Sequence, residues 1–564
     1  MAMLDNPSAP QVLDARQPDA GQASTPDLAS PDLLNGRGES RVALEELRTA
    51  VSLAFAGGGA GGLFREALAR TPPARSQWSP KAFVNDLFLS QFANQCLPVR
   101  ALGREFAANT EYLVRCLGCP PADASVVEHR RACLQELVER PELRRSLETV
   151  YLSLRQYRGL LEGGSGAGRW DANRRRLDLL KLIHEIFEAL AIDFHTATSG
   201  LHRLASFAEY VRGQEVYRSL GDLLRYDQNF ASVSLKVGVG ADGRIRGFEL
   251  LQLEEDRQNP FANSVLRRWL VKLELFVRGY QFSDGEVMAH LIDGVFEGIV
   301  DHTLHFVELI ADVEFYLGAL GFRDLAIQAG LGVSLPDFAA PDAPRRLVGL
   351  FNPLLLASQP RVVPCDVTLE QHATTLLITG PNSGGKTRLL QSLGLAQVMG
   401  QCGLFIPAQS GSLCRASSLV VSLLQDTKAD QSEGRLGMEL MRIRELFQHL
   451  PPGAMVILDE LCSGTNPSEG EEIFELVVKM LGRLEPQVCI TTHFLSFAER
   501  LQREAQIPGL TFLQVELGAD QAPTYQFVPG VARTSLAGQT AARLGVTAAQ
   551  LNELVDANLQ RAVN

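Results

Sequence analysis

Two patterns of apolar residues divide the chain into a first and a second part. From about residue 80 to residue 340, apolar residues recur at spacings of three and four, as at Leu177, Leu180 and Ile183. This spacing places them on one face of an α-helix and predicts a mainly helical region. From Pro341 onward, short apolar runs alternate with helical patterns between Gly and Pro residues, which is typical of an α/β domain. The pattern therefore predicts a multidomain α+β protein.

One segment of the helical region follows a different rule. Four apolar residues there alternate with smaller or polar ones, namely Val233, Leu235, Val237 and Val239. Alternation at this period is typical of a β-strand, and the Asp242-Gly243 pair that follows favours the tight turn of a hairpin. We therefore predict a β-hairpin near residues 232–250, within a helical region that extends over residues 81–340.

The first 80 residues carry weaker patterns. Residues 1–40 are rich in Pro, Ala, Asp, Ser and Gly and poor in aromatic residues. A segment of this composition buries too little apolar surface to offset the entropy lost on ordering, so we expect a disordered tail. Residues 41–80 contain two short helical patterns separated by a glycine-rich break at residues 57–62, and they are predicted to form a short helical segment.

The composition is that of a globular protein with several cores. With 564 residues, 46% of them hydrophobic, the chain is long enough for about two to four domains. No apolar run approaches the ~20 residues of a membrane-spanning helix, so no membrane partner is expected. Nine scattered Cys fit reduced thiols better than a disulfide framework, which predicts a cytoplasmic protein. The net charge of −12 argues against a globally basic nucleic-acid surface but leaves room for a local basic stripe.

Two clusters allow both a structural and a functional interpretation. Residues 174–176 are three consecutive arginines, which either lie on a solvated helix face or contact phosphates, and the solvated face is favoured. Cys116 and Cys119, with His129 and Cys133, have the residue types of a zinc site. Because Cys116 and Cys133 lie among apolar residues, packing in a core is favoured for this second cluster.

The sharpest motif is a glycine-rich loop between an apolar strand and a helix. Residues 376–387 read L-L-I-T-G-P-N-S-G-G-K-T, which contains the spacing G-x-x-x-x-G-K-T. Glycines lack Cβ atoms, so backbone N–H groups can curl around phosphate oxygens while the next helix points its positive end at them. Lys386 places a cation on the β- and γ-phosphates, and Thr387 offers its hydroxyl to Mg²⁺. The predicted nucleotide-binding residues are Gly380, Pro381, Asn382, Ser383, Gly384, Gly385, Lys386 and Thr387.

Polar residues after two further apolar strands complete the predicted site. Residues 456–458 lead to Asp459, which can bind the metal, and to Glu460, which can polarise the attacking water. Residues 488–490 lead to His493, which is placed to sense the γ-phosphate, although a lone histidine is more often a hydrogen-bonded core residue. Together the motifs predict an ATP-hydrolysing site of the ABC type. Its catalytic residues would be Lys386, Glu460 and His493, and its Mg²⁺ ligands Thr387 and Asp459.

These motifs resemble the ATPase of the MutS DNA mismatch-repair family. The resemblance is carried by residues 380–387, 459–467 and 492–494. Residues 405–409 and 352–354 are similar to two further stretches of that ATPase, and the loop 464–470 is closest to the MutS branch that works outside mismatch repair. A weaker resemblance to the helical core of the family covers residues 109–144 and 308–317.

The resemblance implies a helical lever region over residues 81–340 and an ABC-type ATPase domain over residues 345–564, with C-terminal dimerisation helices. It also implies a homodimer that binds ATP and Mg²⁺, in which the signature loop of one subunit completes the site of the other. In that loop Ser432 and Gly434 are the candidate nucleotide contacts. Residues 362–364 are Val-Val-Pro, where many relatives have an aromatic residue that stacks on adenine.

Two functions remain open on this basis. The first is a DNA-binding repair or recombination ATPase that recognises DNA structure rather than sequence. About 80 residues precede the helical core, too few for the mismatch-reading domain of the family, so we expect a divergent member with weak mismatch discrimination. The second is an ATP-switched interaction module whose helical arms hold a protein. The resemblance to the family favours the first function. The negative net charge and the missing mismatch-reading domain favour the second.

Overall fold

The structure, a computed structural model, describes a large part of the chain. The described residues are 30–37, 40–58, 61–163, 172–228, 233–239, 245–253, 284–423, 435–462, 466–519, 521–533 and 544–563. Residues 1–29 of the expected tail lie outside this part of the chain. Among the described helices, none is long and apolar enough to cross a membrane.

Helices dominate the chain up to residue 328. Their bounds are α1 Leu44–Phe55, α2 Leu63–Arg70, α3 Leu89–Cys96, α4 Thr110–Gly118, α5 Ala124–Glu139, α6 Pro141–Glu162, α7 Ala172–Asp193, α8 His202–Gly213, α9 Glu215–Gln228, α10 Asp284–Thr303 and α11 Phe306–Gln328. Local chemistry fixes where several of them begin. The Asn109 side chain accepts a hydrogen bond from the Tyr112 N–H at the start of α4 (3.2 Å), and Pro141 occupies the first turn of α6, where a missing N–H costs nothing.

In the described residues, four strands lie among these helices. Strands β1 Val99–Ala101 and β2 Arg104–Phe106 form a short antiparallel pair. Strands β3 Val233–Val239 and β4 Ile245–Leu253 are also antiparallel, with Val237 opposite Phe248. The second pair lies at the position of the predicted hairpin, and its turn residues fall outside the described ranges.

Helix α11 lies at the centre of the helical region. Every residue from 306 to 322 is buried, and the helix packs against α6, α3 and β1. A helix that is apolar on all sides needs such a central position. Its buried carboxylates have partners, since Glu314 accepts a hydrogen bond from the Tyr151 hydroxyl (3.0 Å) and Asp312 accepts one from Arg41 (2.6 Å).

Residues 30–37 correct the expectation of a disordered N-terminal tail. Leu33 and Leu34 are fully buried. The Leu33 carbonyl accepts a hydrogen bond from the Tyr316 hydroxyl, and the Leu34 carbonyl accepts one from Arg130 Nε, both at 2.7 Å. The prediction that all of residues 1–40 are disordered is therefore wrong for residues 30–37. Composition could not reveal this, because the two partners lie 283 and 96 positions away along the chain.

The second part of the chain contains two sheets. The strands are β5 Asp337–Phe338, β6 Arg345–Leu350, β7 Cys365–Leu369, β8 Thr375–Thr379, β9 Ser410–Leu413, β10 Leu419–Ser422, β11 Met455–Leu458, β12 Gln487–Thr491, β13 Leu510–Leu517 and β14 Pro523–Pro529. The larger sheet has the order β10-β11-β12-β8-β13-β14, and all its neighbours are parallel except β13 and β14. The smaller sheet has the order β5-β9-β6-β7.

Helices cover the larger sheet and follow its strands. They are α12 Lys386–Gln401, α13 Arg435–His449, α14 Pro467–Gly482 and α15 Leu495–Glu504. A further helix, α16 Ala548–Val563, is exposed over residues 548–559. Strands β8, β11 and β12 are buried along their whole length. This burial explains their unbroken apolar sequences, because a central parallel strand faces helices on both sides. The predicted mixture of helices and sheets, helical first and α/β last, is confirmed.

The helical part and the α/β part share one hydrophobic core. The indole N–H of Trp78 donates a hydrogen bond to the Ala416 carbonyl (3.1 Å). Phe322 of α11 lies against Phe351 of the α/β part with ring centroids 6.3 Å apart. The two parts are therefore packed together through side chains rather than joined by a linker alone.

The cysteine cluster of the helical part packs in the core, as favoured from the sequence. Cys116 and Cys133 are fully buried, and their thiols are free. His129 Nε2 contacts the Leu33 carbonyl at 2.8 Å. The described residues contain no group of three or more His, Cys, Asp and Glu side chains suited to a metal ion.

Candidate functional site

The motifs predicted from the sequence meet at one edge of the larger sheet. Strands β8, β11 and β12 are parallel neighbours, so their carboxyl ends lie side by side. Strand β8 leads into the loop 380–385, β11 leads to Asp459 and Glu460, and β12 leads to His493. The carboxyl edge of a parallel sheet is where α/β domains commonly bind ligands.

Backbone conformation explains why the loop after β8 is rich in glycine. Gly380 has φ 144°, and a Cβ at this position would lie 2.6 Å from Val515 Cγ2 of the neighbouring strand. Gly385 has φ 92° and precedes the first residue of α12. Ser383 is left-handed too, with φ 66°, at a cost of about 1–2 kcal/mol for a non-glycine residue. The loop curls tightly over the amino end of α12, where the helix dipole favours an anion.

Lys386 begins α12, and its side chain folds back onto the loop. Its Nζ donates hydrogen bonds to the Gly380 carbonyl (3.0 Å) and the Pro381 carbonyl (3.2 Å), and the residue is buried. Burial lowers the pKa of Lys386, and the negative charges of Glu460 and Asp459 oppose this change. The ammonium group thus lies inside the loop, held by two neutral oxygens that anionic oxygens of a ligand can replace.

Thr387 and Asp459 are in direct contact. The Thr387 hydroxyl donates a hydrogen bond of 2.7 Å to Asp459 Oδ2. Magnesium at nucleotide sites is usually held by few protein oxygens together with phosphates and water, rather than by an all-protein cage. One hydroxyl and one carboxylate beside a glycine-rich loop fit this donor set.

Glu460 adopts an unusual backbone conformation immediately after Asp459. Its φ is 51°, in the left-handed region, and its N–H donates a hydrogen bond to the Thr491 hydroxyl (2.9 Å). The Glu460 side chain lines the cavity beside the loop. The structure therefore brings this predicted catalytic carboxylate to the site.

His493 lies at the expected strand end but outside the cavity. Its side chain is exposed, and its ring lies against Phe494 with centroids 4.1 Å apart. It is not among the residues that line the cavity. The signature residues Ser432 and Gly434 lie outside the described part of the chain.

A cavity of about 560 Å³ opens beside the loop. Its walls include loop residues 382–387, the stretch 350–352, and Arg361, Val362 and Val363 from the connection between β6 and β7. This volume is within the range of about 300–1,000 Å³ that small-molecule sites occupy. The site is therefore large enough for a nucleotide.

Two aromatic residues that line the cavity were not predicted from the sequence. Tyr525 and Phe527 of β14 line it. Tyr525 has φ 61° and is 47% exposed, and its Cδ1 is 3.3 Å from where a Cβ on Gly385 would lie. The polar and apolar alternation of residues 523–529 indicates a strand. Only the pairing of β13 with β8 shows that this strand reaches the loop.

The fold and the site define an α/β domain with a cavity where parallel strands end at a glycine-rich loop. A model of the family MutS domain V matches residues 376–562. This part of the chain is thus similar to domain V of the MutS family, and the match includes the loop, Asp459, Glu460 and His493.

Several curated relatives have the name Endonuclease MutS2. The protein of Gemmatimonas aurantiaca is 33% identical over 227 residues, which are 40% of this chain and 26% of the relative. That of Thermus thermophilus is 32% identical over 235 residues, 41% of this chain and 30% of the relative. That of Thermomicrobium roseum is 34% identical over 203 residues, 36% of this chain and 25% of the relative. The match thus spans less than a third of each relative's length.

Proposed function

We propose that this protein is an ATPase that hydrolyses ATP to ADP and phosphate in the cavity beside residues 380–387. The observation that carries the proposal is the contact between Thr387 and Asp459 at the mouth of a glycine-rich loop. A helix amino end, a buried lysine and a hydroxyl–carboxylate pair meet there, which is the set of groups that a nucleoside triphosphate with Mg²⁺ needs. The match of residues 376–562 to MutS domain V supports it.

Each residue has a separate role in this proposal. The backbone N–H groups of residues 382–385 and the Lys386 ammonium would bind phosphate oxygens, and Thr387 and Asp459 would hold Mg²⁺. Bound Mg²⁺ supplies positive charge that neutralises the phosphates. Glu460 accepts a proton from the water whose oxygen attacks the γ-phosphorus as the bond to the β–γ bridging oxygen breaks. His493 would have to move from its exposed position to contact the γ-phosphate.

The base of the nucleotide lies, in this proposal, against Tyr525. Val362 and Val363 offer aliphatic side chains, and the aromatic residues that line the cavity are Phe351, Tyr525 and Phe527. An aromatic ring binds the face of any base. The site therefore favours a purine through stacking and selects adenine weakly.

A direct test measures phosphate release by the purified chain with ATP and Mg²⁺, with and without a chelator. The proposal expects turnover that needs the divalent ion and disappears in the Lys386→Ala variant. A preparation whose phosphate release is equal in wild type and Lys386→Ala contains a contaminating ATPase. Absence of both nucleotide binding and turnover contradicts the proposal.

We further propose that two ATPase domains, residues 345–564, form a homodimer through α16. Helix α16 exposes apolar side chains at helical spacing, namely Leu551, Leu554, Val555 and Leu559. Exposed apolar stripes of this kind are typical of a helix that pairs with a copy of itself. Light scattering of wild type and of a Leu554→Glu, Leu559→Glu variant tests this, since only the wild type should have twice the chain mass.

The partner held by the helical region, residues 81–340, is proposed to be DNA. The match of residues 376–562 to MutS domain V and the name Endonuclease MutS2 of the relatives support this. The test is ATPase activity with matched, mismatched and branched DNA at one stated salt concentration. We expect stimulation by DNA, with a difference between matched and mismatched duplexes below about tenfold.

A protein partner is the second candidate, and the arginines of the helical region favour it. Many are already paired with carboxylates, among them Arg140 with Glu142 (2.9 Å) and Arg144 with Asp324 (2.7 Å). Arg175 donates to the carbonyls that end α1, at 2.7 and 2.8 Å, and so serves helix packing. Arginines used in this way are poor phosphate contacts. The side chains of Lys236, Arg244 and Arg246 lie outside the described residues.

A further inference from the structure

Thr491 is the last residue of β12, and the parallel register fixes its neighbours. Leu458 of β11 pairs with Ile490 of β12, so the next residues, Asp459 and Thr491, lie side by side. Thr491 is completely buried. In the sequence it appears only as a polar residue before His493, and nothing there distinguishes it from Thr492.

One hydroxyl of Thr491 makes two contacts with the acidic pair. It donates a hydrogen bond to Asp459 Oδ1 and accepts one from the N–H of Glu460 (2.9 Å). The other carboxylate oxygen, Asp459 Oδ2, accepts the hydrogen bond of Thr387 (2.7 Å). Each carboxylate oxygen of Asp459 therefore accepts one threonine hydrogen bond. Thr491 also accepts a hydrogen bond from the backbone N–H of Glu460.

Thr492 makes a different contact. Its hydroxyl oxygen accepts a hydrogen bond from the Phe494 N–H (3.1 Å) at the start of α15. This bond stabilises a helix start rather than the acidic pair. The two adjacent threonines thus have separate tasks, and Thr491 alone reaches Asp459 and Glu460.

We propose that Thr491 is a positioning residue for hydrolysis, which orients the Asp459 carboxylate toward the divalent ion and holds Glu460 in its left-handed conformation. The inference rests on the proposed function and adds a residue to it. A left-handed conformation is unfavourable for a non-glycine residue, so it persists only where the surrounding structure stabilises it. The Thr491 hydroxyl stabilises this conformation of Glu460 by accepting the hydrogen bond of the Glu460 N–H.

If the proposal is right, hydrolysis depends on the hydroxyl of Thr491 rather than on the size of its side chain. Thr491→Val keeps the shape and removes both hydrogen bonds, and Thr491→Ser keeps the hydroxyl. We expect Thr491→Val to lower kcat about tenfold or more while KM for ATP changes less than about threefold, since the phosphates are bound by the loop. Thr491→Ser should retain most of the wild-type kcat.

A second readout does not depend on turnover. Mn²⁺ binding is followed by electron paramagnetic resonance in the presence of a non-hydrolysable ATP analogue. We expect Thr491→Val to weaken Mn²⁺ binding about five- to tenfold, because Asp459 loses one of the two contacts that orient it. Affinity for the analogue without metal should stay unchanged.

The matched control is Thr374→Val. Thr374 is a buried threonine just before β8, at the opposite edge of the sheet, and its hydroxyl donates to the Gln371 carbonyl (2.8 Å). It reports the general cost of removing a buried hydroxyl from this sheet. Equal losses of kcat in Thr374→Val and Thr491→Val would overturn the proposal.

The outcomes separate this inference from the proposed function. Wild-type turnover together with unchanged kcat and Mn²⁺ binding in Thr491→Val overturns the role of Thr491 and leaves the ATPase standing. A wild type without nucleotide-dependent Mn²⁺ binding overturns both. If Thr491→Val does not fold, as judged by circular dichroism, Thr491→Ser and Thr491→Ala take its place, and similar kcat values in these two variants contradict the proposal.

Discussion

Thr387 and Asp459 are 72 positions apart in the sequence, yet the Thr387 hydroxyl donates a 2.7 Å hydrogen bond to Asp459 Oδ2. This contact ties the first turn of α12 to the end of β11. Any ligand that separates the two groups, such as a divalent ion, has to take over both of their oxygens. The two oxygens that are proposed to hold a divalent ion are thus already neighbours in the structure without a ligand.

Replacing Lys386 by Ala should weaken ATP binding about 100-fold, because hydrogen bonds between charged groups contribute about 1.5–3 kcal/mol each. Binding is measured by fluorescence titration with a labelled ATP analogue. Lys479→Ala is the control, since Lys479 is a surface residue of α14 paired with Glu475 (2.6 Å). Comparable affinity in wild type and Lys386→Ala would exclude the loop as the phosphate site.

Replacing Glu460 by Gln should leave ATP bound while slowing hydrolysis about 100-fold or more. The amide still forms a hydrogen bond to water but cannot accept its proton. Single-turnover measurements separate the chemical step from binding. If the variant turns over as fast as the wild type, another residue accepts the proton.

Replacing Tyr525 by Ala should weaken binding of ATP and GTP by a similar factor of about ten, since stacking of a base on an aromatic ring contributes about 1–3 kcal/mol. Tyr525→Phe should bind like the wild type, and tripolyphosphate should bind equally to all three proteins. Tyr210→Ala, which removes another exposed tyrosine in α8, is the control. A loss confined to ATP would mean that the cavity recognises the edge of adenine instead.

Glu136 makes the helical region sensitive to acid. Burial raises the pKa of Glu136, but hydrogen bonds from Ser199 and Thr198 outweigh it and lower the pKa from 4.5 to about 2. The N–H groups of Thr198 and Ser199 donate at 2.8 and 2.9 Å. A carboxyl whose pKa is lower in the folded state stabilises the protein above its unfolded pKa and loses this effect as pH falls from 4.5 toward 2.

Glu136→Gln should therefore destabilise the protein by about 1–3 kcal/mol at pH 7, because the amide NH₂ cannot accept a hydrogen bond and one of the two N–H groups loses its acceptor. The difference from wild type should shrink as pH falls below 4.5. Urea denaturation at a series of pH values measures it. Glu139→Gln, at an exposed position of the same helix, is the control, and a pH-independent difference would rule out this role for Glu136.

The conformation of the glycine-rich loop could be predicted from the sequence because it depends on local geometry. Gly380 and Gly385 need φ values that other residues rarely adopt, and Lys386 and Thr387 follow at fixed positions. Asp459 and Glu460 were found for a related reason, since an apolar strand of four residues delivers them to the sheet edge. Ser432 and Gly434 stay predictions.

The other features of the fold and of the site depended on contacts between residues that are distant in the sequence. Sequence alone determined the helical and α/β halves, the phosphate-type loop and its acidic pair, because spacing and residue type encode local structure. Only the tertiary structure decided that residues 30–34 are buried, that Tyr525 and Phe527 line the cavity, and that His493 lies outside it. Each of these depends on which strands and helices are neighbours, and strand order is set by packing of the whole sheet rather than by any single segment.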